Sequence, residues 1–207
     1  MKKVVLILLF FIPISLFGIV WGNAVHLAFY PSSSGLSSGS TQLELLITQG
    51  AVQFLKSYSD YVLFLQIYEQ NNSDNPALQV TLNNVIDNLK KANDTYLEIK
   101  YMAPRIPYNR GILTRLSAFN FTALQESRGL TPGIMDKVRF YFANGNITGA
   151  FSYTSKNTSK LLNKLTVLKR TLDQGMVPDI NKLWDINQAY IDLMLFGQYE
   201  SQVFKGI

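Results

Sequence analysis

The sequence predicts an all-α protein, with a bundle of about five or six helices behind an N-terminal hydrophobic helix. Two observations favour this fold class. Apolar residues recur at three- and four-residue steps through most of residues 41–207, the spacing of one face of an α-helix. No stretch alternates apolar and polar residues as a half-buried strand would. Long amphipathic helices joined by short turns are typical of a helical bundle.

The first 30 residues carry the features of an export signal. Lys2 and Lys3 precede residues 4–20, which contain no charge. Basic residues before an apolar run keep the N-terminus inside while the following chain crosses the membrane. Apolar character continues to Tyr30, and a helix over residues 4–30 would be about 40 Å long, enough to span a bilayer. We therefore expect an uncleaved anchor. Cleavage near Val25 is the alternative, and would leave a secreted or periplasmic protein.

Residues 31–40 are rich in Ser and Gly and predict a flexible tether. A tether favours an anchored domain, so we expect residues 41–207 to form an extracytoplasmic bundle that contacts the membrane through the N-terminal helix. The chain of 207 residues contains no cysteine. The bundle must therefore be stabilised by packing, without disulfides or thiolate metal sites.

The first two helices of the bundle have clear boundaries. Thr41 and Glu44 form a capping box that opens a helix to about Gln70. Pro76 suits the first turn of a second helix. From Leu78 onward, apolar residues of that helix alternate steps of four and three without a fault: Leu78, Leu82, Val85, Leu89, Ala92, Tyr96 and Ile99.

The second half of the bundle begins after a proline-containing loop over residues 103–111. A helix over residues 147–174 begins with many Ser and Thr residues and gains an apolar stripe from Leu161 onward. Gly175 ends it. Further helices are predicted over residues 112–128, from Thr131 to near Gly145, and from after Pro178 to about Phe204.

Catalytic chemistry finds little support in the sequence. His26 is the one histidine and lies in the N-terminal segment, so the bundle has no Ser-His-Asp or Glu-x-x-His arrangement. The acids of the second helix share a face with lysines at four-residue spacing, which is typical of a solvated face: Asp87, Lys90, Lys91, Asp94 and Glu98. We expect no enzyme activity, no metal and no cofactor.

Charge is distributed unevenly along the chain, whose net charge is +5. Residues 99–172 contain twelve basic and two acidic residues, whereas residues 41–98 and 173–207 are both net acidic. The basic helices either pack beside the acidic ones or bind an anionic protein or lipid headgroups. Lys156, Lys160 and Lys164 form one helical stripe and are the predicted partner surface. We expect no nucleic-acid partner, because the protein is exported and contains no known nucleic-acid module.

A proline-stiffened loop is the candidate site for a small anionic ligand. Arginine forms paired hydrogen bonds to carboxylates and phosphates, and this region contains three arginines and a tyrosine: Arg105, Tyr108, Arg110 and Arg115. The alternative is that these side chains bond neighbouring helix ends.

Two surface features complete the sequence evidence. Residues 140–142 are three consecutive aromatics, so at least one ring must face away from the core of a helical bundle. Five Asn-x-Ser/Thr sequences occur, and Asn93 should stay unmodified because it lies beside the apolar stripe of the second helix. The candidate glycosylation sites are Asn71, Asn120, Asn146 and Asn157.

These features predict a protein that works by binding. The leading hypothesis is a non-catalytic accessory or structural subunit of a membrane or cell-envelope assembly, with one or more protein partners. The alternative is a ligand-sensing bundle that binds a small anionic ligand outside the cytoplasm. A carboxylate-based enzyme is the third hypothesis, which the absence of recognisable catalytic groups disfavours.

Overall fold

The computed structural model describes residues 38–70, 76–105, 133, 136–137, 139–143 and 147–205. Four long helices account for most of them: α1 (Ser38–Glu69), α2 (Pro76–Met102), α3 (Ile147–Asp173) and α4 (Ile180–Lys205). A 3-10 turn follows α2 at Ala103–Arg105, and a π-helical turn at Arg139–Ala143 precedes α3. The described residues contain no strand. The predicted all-helical fold is confirmed for this part of the chain.

The predicted boundaries of the four long helices lie within a few residues of the observed ones. α1 begins at Ser38, so Thr41 lies inside the helix, the predicted capping box does not open it, and the last three residues assigned to the tether are helical. The predicted N-terminal helix and the predicted helix over residues 112–128 lie outside the described residues. Within the described ranges, no helix combines the length and the apolar character that a membrane crossing requires.

α1 and α2 form a closely packed antiparallel hairpin. Gly50 of α1 faces Tyr96 of α2 so closely that a Cβ atom at position 50 would lie 2.8 Å from the Tyr96 ring. Nearer the turn, Asn88 Nδ2 donates a hydrogen bond of 2.9 Å to Asp60 Oδ2. Glycine at position 50 therefore permits the approach of the two helices at the far end of the hairpin.

α4 packs against α1 and runs antiparallel to it. Near the end of α1, the Tyr68 hydroxyl donates to the Pro178 carbonyl just before α4. Nearly three turns into α4, the Tyr190 hydroxyl contacts Ser57, which precedes Tyr68 in α1 by eleven residues. α1 and α4 therefore run in opposite directions.

α3 and α4 form the second antiparallel hairpin, joined by residues 174–179. The rings of Tyr153 and Phe196 lie 4.5 Å apart, far from this turn. Since α2 and α4 both oppose α1, α3 runs parallel to α1. The result is an up-down-up-down four-helix arrangement.

The bundle therefore has two distinct ends. At the turn end lie the end of α1, the start of α2 and residues 174–179, which join α3 to α4. At the tether end lie the start of α1, the end of α2, the start of α3 and the end of α4.

The core lies where α1, α2, α3 and α4 meet. The predicted stripe of α2 is buried almost completely, with Tyr96 half-buried at its margin. Burial of each large apolar side chain contributes about 1.5–3 kcal/mol. The largest side chains with less than 2% exposure are Tyr61, Phe64, Leu78, Leu82, Leu89, Ile99, Tyr190 and Phe196.

Local signals end α3 and begin α4. Gly175 adopts a left-handed conformation (φ 69°), and its N–H donates to the Leu172 carbonyl while that of Met176 donates to the Thr171 carbonyl. This pair of bonds is a Schellman motif. Asp179 then caps α4, its carboxylate accepting the N–H of Asn181 at 2.9 Å.

Candidate functional site

A groove between α3 and α4 at the turn end is the candidate site. Its volume is about 520 Å³, within the range of binding clefts in proteins. One wall is the last three turns of α3, and the other is the turn and the first turns of α4. Its apolar lining consists of Val167, Leu168, Met176, Val177, Pro178 and Ile186, and its charged lining of Lys164, Asp179, Lys182 and Asp185.

The apolar side chains of this region are unusually open to solvent. Val177 is 75% exposed, and the others around it are between about one third and one half exposed. The Schellman turn and the Asp179 cap hold these residues in place, so their exposure is built into a defined backbone. Contiguous exposed apolar surface is characteristic of interaction sites. Within residues 167–184 these side chains are Val167, Met176, Val177, Ile180 and Trp184.

The predicted lysine stripe borders the groove. Lys156, Lys160 and Lys164 are all exposed on α3, and Lys164 lines the groove itself. No carboxylate among the described residues lies within 4 Å of any of the three. By contrast, Lys169 pairs with Asp173 at 3.1 Å. None of the three lysines therefore forms an ion pair with a carboxylate of the described residues, although Asp179 and Asp185 line the same groove as Lys164.

α2 and α3 meet through a polar contact that the sequence did not reveal. The Ser159 hydroxyl lies 2.7 Å from Asn93 Oδ1 and 3.0 Å from the Ser155 carbonyl, and both oxygens are acceptors. Thr158 donates to the Thr154 carbonyl at 2.8 Å. Such bonds to the preceding helical turn satisfy hydroxyls inside a bundle. The Ser and Thr residues that open α3 therefore form part of the packed interior.

The same contacts bear on two glycosylation sequences. Asn93 is buried and accepts from Ser159, so a glycan has no access to it in the folded protein. Asn157, a candidate site, lies within α3 and its side chain donates to the Tyr153 carbonyl at 2.8 Å. Its amide nitrogen is thus occupied in the fold. The other candidates, Asn71, Asn120 and Asn146, lie outside the described residues.

Three tyrosines are buried where α1 packs against α4: Tyr58, Tyr61 and Tyr190. Ser57 donates to the Val85 carbonyl at 2.8 Å, so its oxygen accepts from the Tyr190 hydroxyl at 2.6 Å. The Tyr61 hydroxyl donates to the Leu183 carbonyl. Burial raises the pKa of Tyr58 to about 12 and raises the pKa values of Tyr61 and Tyr190 well above that of a free tyrosine. The three phenols are therefore neutral near pH 7.

Tyr190 also orders the rings around it. Its centroid lies 5.3 Å from those of Phe54 and Tyr58 and 5.4 Å from that of Tyr61. Offset and tilted pairs at these distances add about 0.5–1.5 kcal/mol each to the effect of burial. One residue of α4 thus joins α1 and α4 through a ring cluster.

Of the four residues in the predicted ligand site, only Arg105 lies within the described residues. Arg105 ends the 3-10 turn after α2, while Tyr108, Arg110 and Arg115 lie outside the described residues. The acids Asp87, Asp94 and Glu98 are exposed on α2. Within the described ranges, no three His, Cys, Asp or Glu side chains come together in a group that could hold a metal ion.

The comparisons with known proteins give no match to a protein family, a curated protein or a solved structure. The candidate function is therefore argued from the geometry above.

Proposed function

We propose that this protein is a non-catalytic accessory subunit of a membrane or cell-envelope assembly. In this proposal it is exported, is anchored by its N-terminal hydrophobic helix, and binds a protein partner outside the cytoplasm. The observation that carries the proposal is the exposed apolar groove between α3 and α4, bordered by a stripe of lysines.

The shape of the surface favours a protein segment as the occupant. Lys156 and Lys164 are eight residues apart, so the stripe extends the groove along α3 by about 12 Å. A partner helix with one apolar face could place that face on Val167, Met176 and Val177. Acidic residues beside its apolar face would then meet the lysines, and such charge complementarity increases the rate and specificity of association.

The position of the groove fits a tethered subunit. The predicted anchor ends at Tyr30, and α1 begins eight residues later at the tether end. α3 has 27 residues and is therefore about 40 Å long. With the anchor in the membrane, the groove would lie at the far end of the bundle, where a partner that projects from the membrane can reach it.

A matched pair of substitutions tests the proposal. The full-length protein is extracted from its native membranes in mild detergent, and its migration is compared between variants. Val177→Asp changes the groove, whereas Leu63→Asp changes an α1 side chain that is also exposed (47%). We expect a stoichiometric complex with the wild type and the Leu63 variant, and its loss with the Val177 variant. Migration of the wild-type protein alone, or equal loss with both variants, would contradict the proposal.

A further inference from the structure

Two aromatic side chains stand out at the tether end. Tyr101, the next-to-last residue of α2, is 65% exposed, and Phe140, in the π-helical turn before α3, is 64% exposed. Phenylalanine is among the side chains most often buried in soluble domains, and tyrosine is intermediate. Both occur at the end of the bundle at which α1 begins.

Phe140 is held in its exposed position by its neighbour. The rings of Phe140 and Tyr141 meet edge to face at 5.0 Å. Tyr141 in turn packs against Tyr153 at 5.5 Å and against Phe196 at 6.0 Å. The π-helical turn thus directs the ring of Tyr141 toward α3 and α4, and the ring of the preceding Phe140 toward solvent.

Cations accompany these rings. Lys100 Nζ lies 5.8 Å from the centroid of Tyr101, and Lys137 Nζ lies 5.5 Å from that of Tyr153. Glu98 and Asp136 are exposed acids of the same two segments. The described part of the tether end therefore places cations close to aromatic rings.

We propose that the tether end rests on a lipid bilayer that contains anionic headgroups. Tyr101 and Phe140 would lie in the interface between headgroups and acyl chains, where aromatic side chains are favoured. The cations beside them would attract anionic lipids. Since α1 begins eight residues after Tyr30, the bundle can lie no more than about 28 Å from the end of the predicted anchor. This inference rests on the proposed anchoring.

The absence of cysteine from the chain allows a direct test. Single cysteines replace Tyr101, Phe140 or, at the turn end, Val177, and each carries an environment-sensitive fluorophore. The full chain is reconstituted into vesicles of phosphatidylcholine and phosphatidylglycerol that contain nitroxide-labelled lipid. We expect several-fold stronger quenching at positions 101 and 140 than at position 177, and less quenching when phosphatidylglycerol is omitted.

A second set of variants tests the contribution of the two rings, with the fluorophore kept at one position. The fluorophore is placed at exposed Glu98, and Tyr101→Ser with Phe140→Ser is compared with Val80→Ser, a change to an exposed apolar side chain near the turn end. We expect the double variant to lower quenching at position 98 at least twofold and the Val80 variant to leave it unchanged.

The outcomes separate the two proposals. Vesicle flotation measures anchoring independently, and a protein that fails to float with vesicles would refute the proposed anchor. A protein that floats but shows equal, weak quenching at positions 101, 140 and 177 would overturn the membrane-contact surface alone. In that case the exposed rings would be a surface for a protein partner. Equal quenching with and without phosphatidylglycerol would overturn the role of the cations.

Discussion

The α1–α2 hairpin and the α3–α4 hairpin share an antiparallel form but differ in where their apolar side chains lie. In α1–α2, the exposed apolar residues Leu45, Leu63, Val80 and Tyr101 are widely separated along the chain. In α3–α4, five such residues fall within residues 167–184, and three of them, Val167, Met176 and Val177, line one groove. Exposed apolar side chains are therefore scattered along the first hairpin and clustered in the second.

Both hairpins also bury polar groups. Thr158 of α3 donates to the Thr154 carbonyl, and Thr81 and Thr95 of α2 bond in the same way to the preceding helical turn. α1 contributes buried Ser57 at the ring cluster. Hydrogen bonds therefore satisfy buried polar side chains in both hairpins, whereas the cluster of aromatic rings lies where α1 meets α4.

Alkaline pH should cause the largest loss of folding stability, through the buried tyrosines of the ring cluster. Tyrosines of the unfolded chain ionise near pH 10, while burial raises the folded-state pKa of Tyr58 to about 12. This raised pKa contributes stability that is fully present below pH 10 and is lost as the pH approaches 12. For Tyr58 alone the difference corresponds to about 3 kcal/mol, and Tyr61 and Tyr190 add to it. We expect cooperative unfolding between pH 10 and 12, measured by far-UV circular dichroism and tyrosinate absorbance.

Tyr58→Phe serves as the control for this titration. It removes one of the three buried phenols, so the free energy of unfolding should fall less steeply above pH 10. Complete ionisation of the tyrosines with the helices still intact would show that the ring cluster is open to solvent, against its observed burial.

Leu89→Ala should have the next largest effect. Leu89 is fully buried in the stripe of α2, and removal of such a side chain costs about 2–5 kcal/mol. The matched change Leu63→Ala removes the same atoms from an exposed position and should cost about 0.5 kcal/mol or less. Both values come from urea unfolding. Similar losses in the two variants would mean that the stripe of α2 is not the core.

Ser57→Ala should cost more than Tyr190→Phe. Loss of the Ser57 hydroxyl leaves the buried Tyr190 hydroxyl without its acceptor, a penalty of about 1–3 kcal/mol. Tyr190→Phe removes both the donor and its need for a partner, and Ser57 keeps its bond to the Val85 carbonyl; we expect about 1 kcal/mol. Urea unfolding of the two variants measures which one loses more free energy of unfolding. The reverse order would mean that the Tyr190 hydroxyl has another acceptor.

Much of the fold could be predicted from local sequence signals. Pro76 marks the first residue of α2, Gly175 the turn after α3, and the steps of four and three in α2 identify its buried face. Each signal acts within a few residues, through backbone geometry or helical period. The exposure of Lys156, Lys160 and Lys164 also follows from their four-residue spacing.

The candidate site could not be predicted in the same way. The groove needs α3, the turn and α4 to be placed together, and its exposed apolar residues follow the same period as core residues. The contacts of Asn93 with Ser159 and of Ser57 with Tyr190 join residues 66 and 133 positions apart. Nothing local distinguishes these buried polar residues from solvated ones, because their partners are defined only by the tertiary fold.

Charge reversal on α3 should have the smallest effect on stability and the most specific effect on binding. Lys156, Lys160 and Lys164 are exposed and form no ion pair with a described residue. Their simultaneous change to Glu should therefore cost within about 0.5 kcal/mol per residue and leave the helical content intact. If the proposed partner binds this surface, its association should weaken, and the difference from wild type should grow at low salt, where charges are less screened.

The other hairpin supplies the matched control for this reversal. Lys56, Lys90 and Lys91 are also exposed, and their change to Glu alters the net charge by the same amount. If association depends on a local surface beside the groove, only the α3 variant should lose it, as measured by co-migration in mild detergent at two salt concentrations. Equal weakening by both variants would mean that the partner responds to net charge. Unfolding of the α3 variant alone would mean that its lysines stabilise the fold, because the control carries the same total charge on an equally helical surface.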